Sequence, residues 1–255
     1  MIAIALQSGS KGNCYYIEAA GKRLIFDAGI SLKRVRQRLG AVRKTITGVD
    51  AIFISHDHSD HCRNAGVLHR GLKAQVHASE GTVRSLSRKT SLGKIAGYET
   101  FRAGASVDVG DVHIETLPTT HDGNDGVAFI IEAEGKRLGI LTDLGCVFEG
   151  LGDCLADLDA VFLESNYDPH MLANGPYPWY LQQRISGSGG HLSNIEAAEL
   201  LLAVDPRRFE WVVLSHLSEE NNTPDTALRT HVETHGFGDR LLTAGRLAAV
   251  GPLTL

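Results

Sequence analysis

Part of this chain is written twice. Residues 15 to 24 read YYIEAAGKRL and residues 129 to 138 read FIIEAEGKRL, with seven of ten positions identical. Each copy has a glycine, Gly21 or Gly135, where a hairpin must turn, and each ends in an apolar strand. Farther on, DAIFISH from Asp50 is echoed by DAVFLES from Asp159. The two echoes keep their order at offsets of 114 and 109 residues, which predicts a duplicated unit. Short apolar strands alternate with helical patterns throughout. A duplicated unit of that kind buries its apolar faces as an α/β sandwich, two mixed β-sheets packed face to face and flanked by helices. No low-complexity or Pro/Ser-rich linker divides the sequence, so residues 1–255 read as a single domain. At 43% hydrophobic and 22% charged residues the chain can bury a core, which excludes disordered and collagen-like classes.

Strands are expected at Ile2–Leu6, Cys14–Glu18, Arg23–Phe26, Ala51–Ile54, Val112–Leu117, Ala128–Glu132, Leu138–Leu141, Ala160–Leu163 and Trp211–Leu214. Helical periodicity fits Leu32–Leu39, Ser193–Val204 and Pro224–His235, with Ser193 and Thr223 as N-caps. No apolar run is long enough for a membrane helix, and the Met-Ile-Ala-Ile-Ala-Leu start lacks a basic n-region. A cytoplasmic protein without a membrane partner is expected. Four scattered cysteines, Cys14, Cys62, Cys146 and Cys154, form no Cys-x-x-Cys pair, so neither a disulfide framework nor a thiolate zinc site is indicated.

Histidine spacing carries the chemistry. The strand ending at Ile54 runs directly into Ser55-His56-Asp57-His58-Ser59-Asp60-His61. Residues two apart in an extended segment point the same way, so His56 and His58 can share one metal. Asp60 and His61, after a turn, can face a second. His69, His77, His113, His231 and His235 lie in expected helices or strands with no partner motif and read as structural. His170, in Asn166-Tyr167-Asp168-Pro169-His170, is open to either a site role or a turn.

HDHSDH resembles the H-x-H-x-D-H signature of the metallo-β-lactamase superfamily, and His121 in PTTHDG, Asp143 in GILTDLG and His216 in VVLSHLSEE match its downstream elements in order. The resemblance implies the αββα sandwich, one divalent ion held by His56, His58 and His121, a second held by Asp60, His61 and His216, and Asp143 bridging them. His/Asp ligation with open positions suits Zn²⁺ best, while Mn²⁺ or Fe also fits such donors. Two such ions activate a bridging water as hydroxide nucleophile.

The metals alone do not name a substrate, because phosphodiesters, thioesters and lactones all yield to them. Three further segments favour phosphodiesters. Gly187-Ser188-Gly189-Gly190-His191-Leu192-Ser193 is a glycine-rich loop opening a helix, where backbone N–H groups attract phosphate, which makes Gly189, Gly190 and Ser193 candidate substrate contacts. Its H-x-S-x-x-x-A pattern resembles the loop of the superfamily's tRNA-processing nucleases, and the resemblance gives His191 a catalytic role as proton donor to the leaving oxygen, beside Asp60. Ser31–Lys44 carries Lys33, Arg34, Arg36, Arg38, Arg43 and Lys44 without an acidic residue, a basic patch in a chain of net charge −5 that suits a polyanion or is simply a solvated helix face. Ser8-Gly9-Ser10-Lys11-Gly12-Asn13 offers Lys11 and Asn13 as a second phosphate rim, or is a plain turn.

SGSKGNCYYIE, SHDHSDH, ESNYDPHML, WYLQQRISGSGGHLSN and LSHLSEENN together look like the YycJ/WalJ subfamily of metallo-β-lactamase-fold hydrolases. That likeness implies a 5′-to-3′ DNA exonuclease, with nucleic acid, DNA before RNA, as substrate. Lys11 stands where the subfamily commonly has Ser. A glyoxalase II-type thioesterase or lactonase is the alternative. It shares the metals but leaves the His191 loop without a use. Cutting polarity, exo or endo attack, native metal and oligomeric state are open at this point.

Overall fold

The computed structural model describes residues 1–255. One sheet contains β1 (Ile2–Gln7), β2 (Cys14–Ala19), β3 (Lys22–Phe26), β4 (Ala51–Ile54), β5 (Gln75–Ser79), β6 (Tyr98–Phe101) and the C-terminal β14 (Val250–Thr254), in the order β14-β1-β2-β3-β4-β5-β6. The other contains β7 (Ser106–Val109), β8 (Val112–Pro118), β9 (Val127–Ala133), β10 (Lys136–Leu141), β11 (Ala160–Glu164), β12 (Trp211–Ser215) and β13 (Leu241–Thr243), in the order β13-β12-β11-β10-β9-β8-β7.

Pairing directions make the duplication visible. The hairpin β2–β3 is antiparallel and continues into parallel β4, β5 and β6. Likewise β9–β10 is antiparallel and continues into parallel β11, β12 and β13. The repeated hairpins turn at Ala20-Gly21 and Glu134-Gly135, all four residues at positive φ between 45° and 74°. That is the type I′ geometry whose twist matches two-residue hairpins. The expected sandwich of two mixed sheets is thus found, and its halves are topological copies.

Three apolar layers hold it. A cluster of 24 buried residues, including Tyr15, Phe26, Phe53, Phe129 and Phe162, fills the space between the sheets. Phe26 lies 5.2 Å from Phe53 and 5.1 Å from Phe129, ring to ring. Outside the first sheet, α1 (Leu32–Ala41), α2 (Ser59–Cys62), α3 (Ala65–Leu72) and α4 (Glu80–Leu86) follow strands, and Val35, Leu39, Leu68 and Leu72 pack on it. Outside the second come α5 (Leu151–Ala156), α6 (Pro169–Asn174), α7 (Trp179–Ser186), α8 (Asn194–Ala203) and α9 (Pro224–His235), with Leu155, Ala197, Leu201 and Ala227 packed inward. Ser193 and Thr223 cap α8 and α9 through their side chains, as their sequence positions require. All nine expected strands and three expected helices are present. Five strands, β5, β6, β7, β13 and β14, and the six helices α2 to α7 are additional. All four cysteines are free thiols.

Parallel pairs end on the same side of their sheet, so the C-terminal ends of β3, β4, β10, β11 and β12 converge at one edge of the sandwich. Below that edge His231 of α9 is fully buried, its Nε2 3.2 Å from Ser165 Oγ. Ser165 donates onward to Asn194 Oδ1 at 2.6 Å. Burial, with His235 beside it, pushes the His231 imidazole down to about 3. An unfolded histidine takes up a proton near pH 6.5, so between pH 6.5 and about 3 only the unfolded chain gains that proton. The stabilisation is therefore complete above pH 6.5 and is lost as pH falls. We expect urea unfolding free energies to drop by up to ~1.4 kcal/mol more per pH unit in wild type than in His231→Gln between pH 6 and 4. Parallel profiles for the two proteins would exclude His231 as a source of acid sensitivity.

Candidate metal centre

Each ligand-bearing residue follows a strand of the converging edge. His56, His58, Asp60 and His61 follow β4 and enter α2, Asp143 follows β10, and His216 follows β12. His121 lies in the loop after β8. Asp143 and His216 have φ of 57° and 56°, and Asp27, just after β3, has φ 64°. This left-handed backbone, open to Asp and His at modest cost, swings each side chain off its strand and over the edge.

The donors fall into interlocking groups. Ligand atoms of His56, His58 and His121 lie within 4.8 Å of one another, as do those of Asp60, His61 and His216. Asp143 joins both sets: its Oδ2 is 3.3 Å from His61 Nε2, and its Oδ1 is 3.5 Å from His216 Nε2 and 3.7 Å from His121 Nε2. The structure thus brings together all seven residues singled out by sequence.

Second neighbours orient the rings. His61 Nδ1 is 2.7 Å from Asp27 Oδ2, and Asp27 Oδ1 is held by the Ser55 amide and hydroxyl at 2.9 Å each. His121 Nδ1 is 2.7 Å from the Gly190 carbonyl, an acceptor only, so we assign the proton to Nδ1. His58 Nε2 is 3.2 Å from Asp122 Oδ1, which places the proton on Nε2. With those tautomers the lone pairs of His58 Nδ1 and His121 Nε2 face each other at 3.2 Å. A cation between them removes that repulsion, and His56 Nε2, His216 Nε2 and Asp143 Oδ2 are buried without any hydrogen-bond partner. The donor set therefore fits divalent metal.

Charge in the bare protein follows the same logic. Burial opposes ionisation of Asp143, yet His216, His61 and His121 hold its carboxyl well below the usual range. Burial likewise works against the charge on Asp60, and His61 and His216 outweigh it. Burial lowers His61, and Asp143 with Asp27 overrides that to raise it well above an ordinary imidazole. His56 and His58 are lowered by burial and then by neighbouring histidines, which at His58 outweigh the Asp122 carboxylate.

A cavity of about 260 Å³ opens onto the cluster, walled by His58, Asp60, His191, Gly189, Gly190 and Arg184 among others. His191 Nδ1 is 2.6 Å from Glu164 Oε1, and the other Glu164 oxygen accepts the Leu144 amide at 2.9 Å. Glu164 is fully buried at the end of β11. Gly189 also lines the cavity, and its carbonyl accepts the Asp122 amide at 3.0 Å.

Two substrate expectations are corrected. Ser193 is buried, and its hydroxyl joins Glu196 in a reciprocal capping box, with Glu196 also accepting the Ser193 amide at 2.8 Å. The Glu196 carboxylate thereby occupies the anion position at the start of α8. Asn13 is fully buried: it accepts the Gly9 amide at 2.8 Å and reaches His61 Nε2 at 2.9 Å, beneath the ligands and not on a rim. The Ser8–Asn13 segment is a turn, closed by the Gly12 amide on the Gly9 carbonyl at 2.9 Å. Lys11 is exposed and paired with Glu219 at 2.5 Å, while Ser10 lines the cavity.

In the basic segment, Lys33, Arg34 and Arg36 are exposed on α1. Arg38 donates to the Arg246 carbonyl at 3.4 Å, and Lys44 is neutralised by Glu18 at 2.5 Å. His170 is exposed in α6 and does not line the cavity. Sequence reasoning missed as site residues Asp27, Ser55, Glu164 and Asn166, the last with its side-chain amide 3.1 Å from His216 Nδ1. The repeat held a signal for the first: Asp27-Ala-Gly29 and Asp143-Leu-Gly145 close equivalent strands.

This arrangement defines a metal-dependent hydrolase of the αββα class. The description Beta-lactamase superfamily domain matches residues 22–216, and the chain belongs to that superfamily. It is 34% identical over 229 residues to exodeoxyribonuclease WalJ of Streptococcus pneumoniae, covering 89% of this chain and 85% of the relative. With exodeoxyribonuclease YycJ of Bacillus anthracis it shares 31% identity over 238 residues, 91% of this chain and 89% of the relative. The crystal structure of Zn²⁺-bound PqqB from Methylobacterium extorquens superposes with TM-score 0.73 at 16% identity, covering 98% of this chain and 100% of the other, which shows the shared fold. No helix is long and apolar enough to cross a membrane.

Asp27→Asn keeps a residue tolerant of positive φ but removes the charge behind His61. We expect it to weaken metal affinity about 10–100-fold in chelator competition. Asp143→Asn, altering a donor shared by both groups, should reduce the metal content itself by elemental analysis. Full retention of metal at wild-type affinity in both variants would refute these roles.

Proposed function

We propose that the chain hydrolyses phosphodiester bonds of DNA from a 5′ end, with His56, His58 and His121 holding one divalent ion, Asp60, His61 and His216 a second, and Asp143 bridging. The observation that carries this reading is His191. It stands on the cavity wall with Nδ1 engaged by buried Glu164, which leaves Nε2 as its free nitrogen. Two ions in these sites, Zn²⁺ by the donor chemistry, would activate water and offset charge on the phosphate. Asp60, partly exposed to the cavity, orients the attacking water through its carboxylate. His191 Nε2 donates a proton to the departing 3′-oxygen, and Glu164 steadies the imidazolium side of that exchange. Gly189 lets the phosphate approach without side-chain obstruction and its amide has no acceptor within the protein, while Gly190 lines the cavity where a side chain would strike the Ile185 carbonyl. The names of the two relatives support DNA as the substrate class.

A proton donor matters in proportion to how poor the leaving group is. His191→Ala should lose about 10²–10⁴-fold on an end-labelled DNA strand and much less on bis(p-nitrophenyl) phosphate, whose leaving group needs little protonation. Equal losses on both substrates would confine His191 to phosphate contact or loop structure. Turnover of a thioester with none of DNA would favour the thioesterase reading. Product ladders from 5′- and 3′-labelled strands assign polarity in the same experiment.

Exposed Arg34 and Arg36 of α1 supply the polyanion contacts in this reading. Replacing both by Gln should flatten the salt dependence of duplex binding by up to ~0.9 log unit per lost phosphate contact. An unaltered slope would leave them as a solvated face.

A further inference from the structure

The helix α7 buries none of its eight residues, yet it forms part of the cavity wall. Leu181, Arg184 and Ile185, spaced three and four apart, face the cavity, joined by Tyr177 just before the helix. On the same helix Trp179 is 73% and Tyr180 71% exposed. The only other tryptophan, Trp211, is buried in the core, so the chain's exposed tryptophan and exposed tyrosine are adjacent at the start of α7, beyond the residues that line the cavity. Tyr180 precedes Arg184 by one turn and therefore lies on its side of the helix. Pro176 and Pro178 flank Tyr177 and restrict the approach to the helix, which lowers the entropy lost when its rings engage a ligand.

Charge selects the ligand. From Pro169 to Ile195 the chain has no Asp or Glu, although 30 of its 255 residues are acidic. Arg184 is held toward the cavity by Asp122, with Nε and a terminal nitrogen each 2.7 Å from Oδ2, and keeps an exposed guanidinium. Exposed rings beside a guanidinium, on a segment with no acidic residue of its own, match the pattern that binds single-stranded nucleic acid, where bases stack and the backbone follows positive charge. The His191 amide donates to the Ile185 carbonyl at 2.9 Å, so this surface is tied directly to the proposed proton donor.

We propose that α7 is a nucleobase platform: Trp179 and Tyr180 stack on bases of a single-stranded DNA end while Arg184 meets its backbone at the mouth of the metal cavity. This rests on the nuclease reading for its choice of DNA, but binding tests it separately from cleavage. The probe is a 3′-labelled, 5′-phosphorylated dT 12-mer with phosphorothioate linkages, titrated into the metal-loaded protein and followed by fluorescence anisotropy. Trp179→Ala and Tyr180→Ala should each weaken binding at least about fivefold, the lower end for loss of one stacked base. Trp179→Phe and Tyr180→Phe should restore binding to within about twofold, while Trp179→Leu should not. Unchanged melting temperatures show that each variant folds.

Wild-type affinity in the Ala variants overturns the platform and leaves the nuclease reading intact. Restoration by Leu as complete as by Phe also overturns it, marking an apolar surface for another protein. Aromatic-dependent binding without DNA cleavage keeps the platform and removes the nuclease reading. Absence of oligonucleotide binding by wild type removes the platform outright, and cleavage of end-labelled DNA then judges the nuclease reading alone.

Discussion

Imidazole lone pairs and carboxylates are aimed at one another inside a buried seam, and that opposition governs the rest of the structure. His58 Nδ1 and His121 Nε2 face each other at 3.2 Å, and Asp143 reaches three histidines within 3.7 Å. Desolvating such groups is costly unless a cation or proton lies between them. Every strand end at this edge is arranged to sustain that arrangement. The outer nitrogens are tied to Asp27, Gly190 and Asp122, which turns the inner ones toward one another.

The duplicated scaffold divides the labour unequally. Both halves place an aspartate at positive φ after the second strand of the repeated hairpin, Asp27 in one and Asp143 in the other. In the first half it supports a ligand, and in the second it sits between the two groups. The echoed strands diverge in the same manner: Ser55 follows β4 beside the ligand run, whereas Glu164 ends β11 and holds His191. The same echoed strand thus leads into the ligand run in one half and ends in a supporting carboxylate in the other.

What was legible in the sequence was what is local. H-x-H-x-D-H after an apolar run exposes its chemistry through period and proximity alone, and the repeated hairpin declares its turn through glycine. Glu164 and Asp27 were not legible as site residues because their partners lie 27 and 34 positions away. Strands β6, β7 and β13 are three or four residues long and partly exposed, too short for periodicity to register. Ser193 misled for a different reason. Its S-x-x-E spacing to Glu196 signals a capping box, and that local bond claims the hydroxyl before any ligand can.

The left-handed conformation at Asp143 and His216 narrows what mutation can explore. The backbone there favours glycine, asparagine, aspartate and, less strongly, histidine over other residues. A divalent cation of this kind admits histidine, cysteine, aspartate and glutamate. Only aspartate and histidine stand on both inventories. Glutamate, the usual chemical substitute for aspartate, meets the chemistry but pays more for the torsion, so drift at these two positions is confined twice over, by torsion as well as by chemistry.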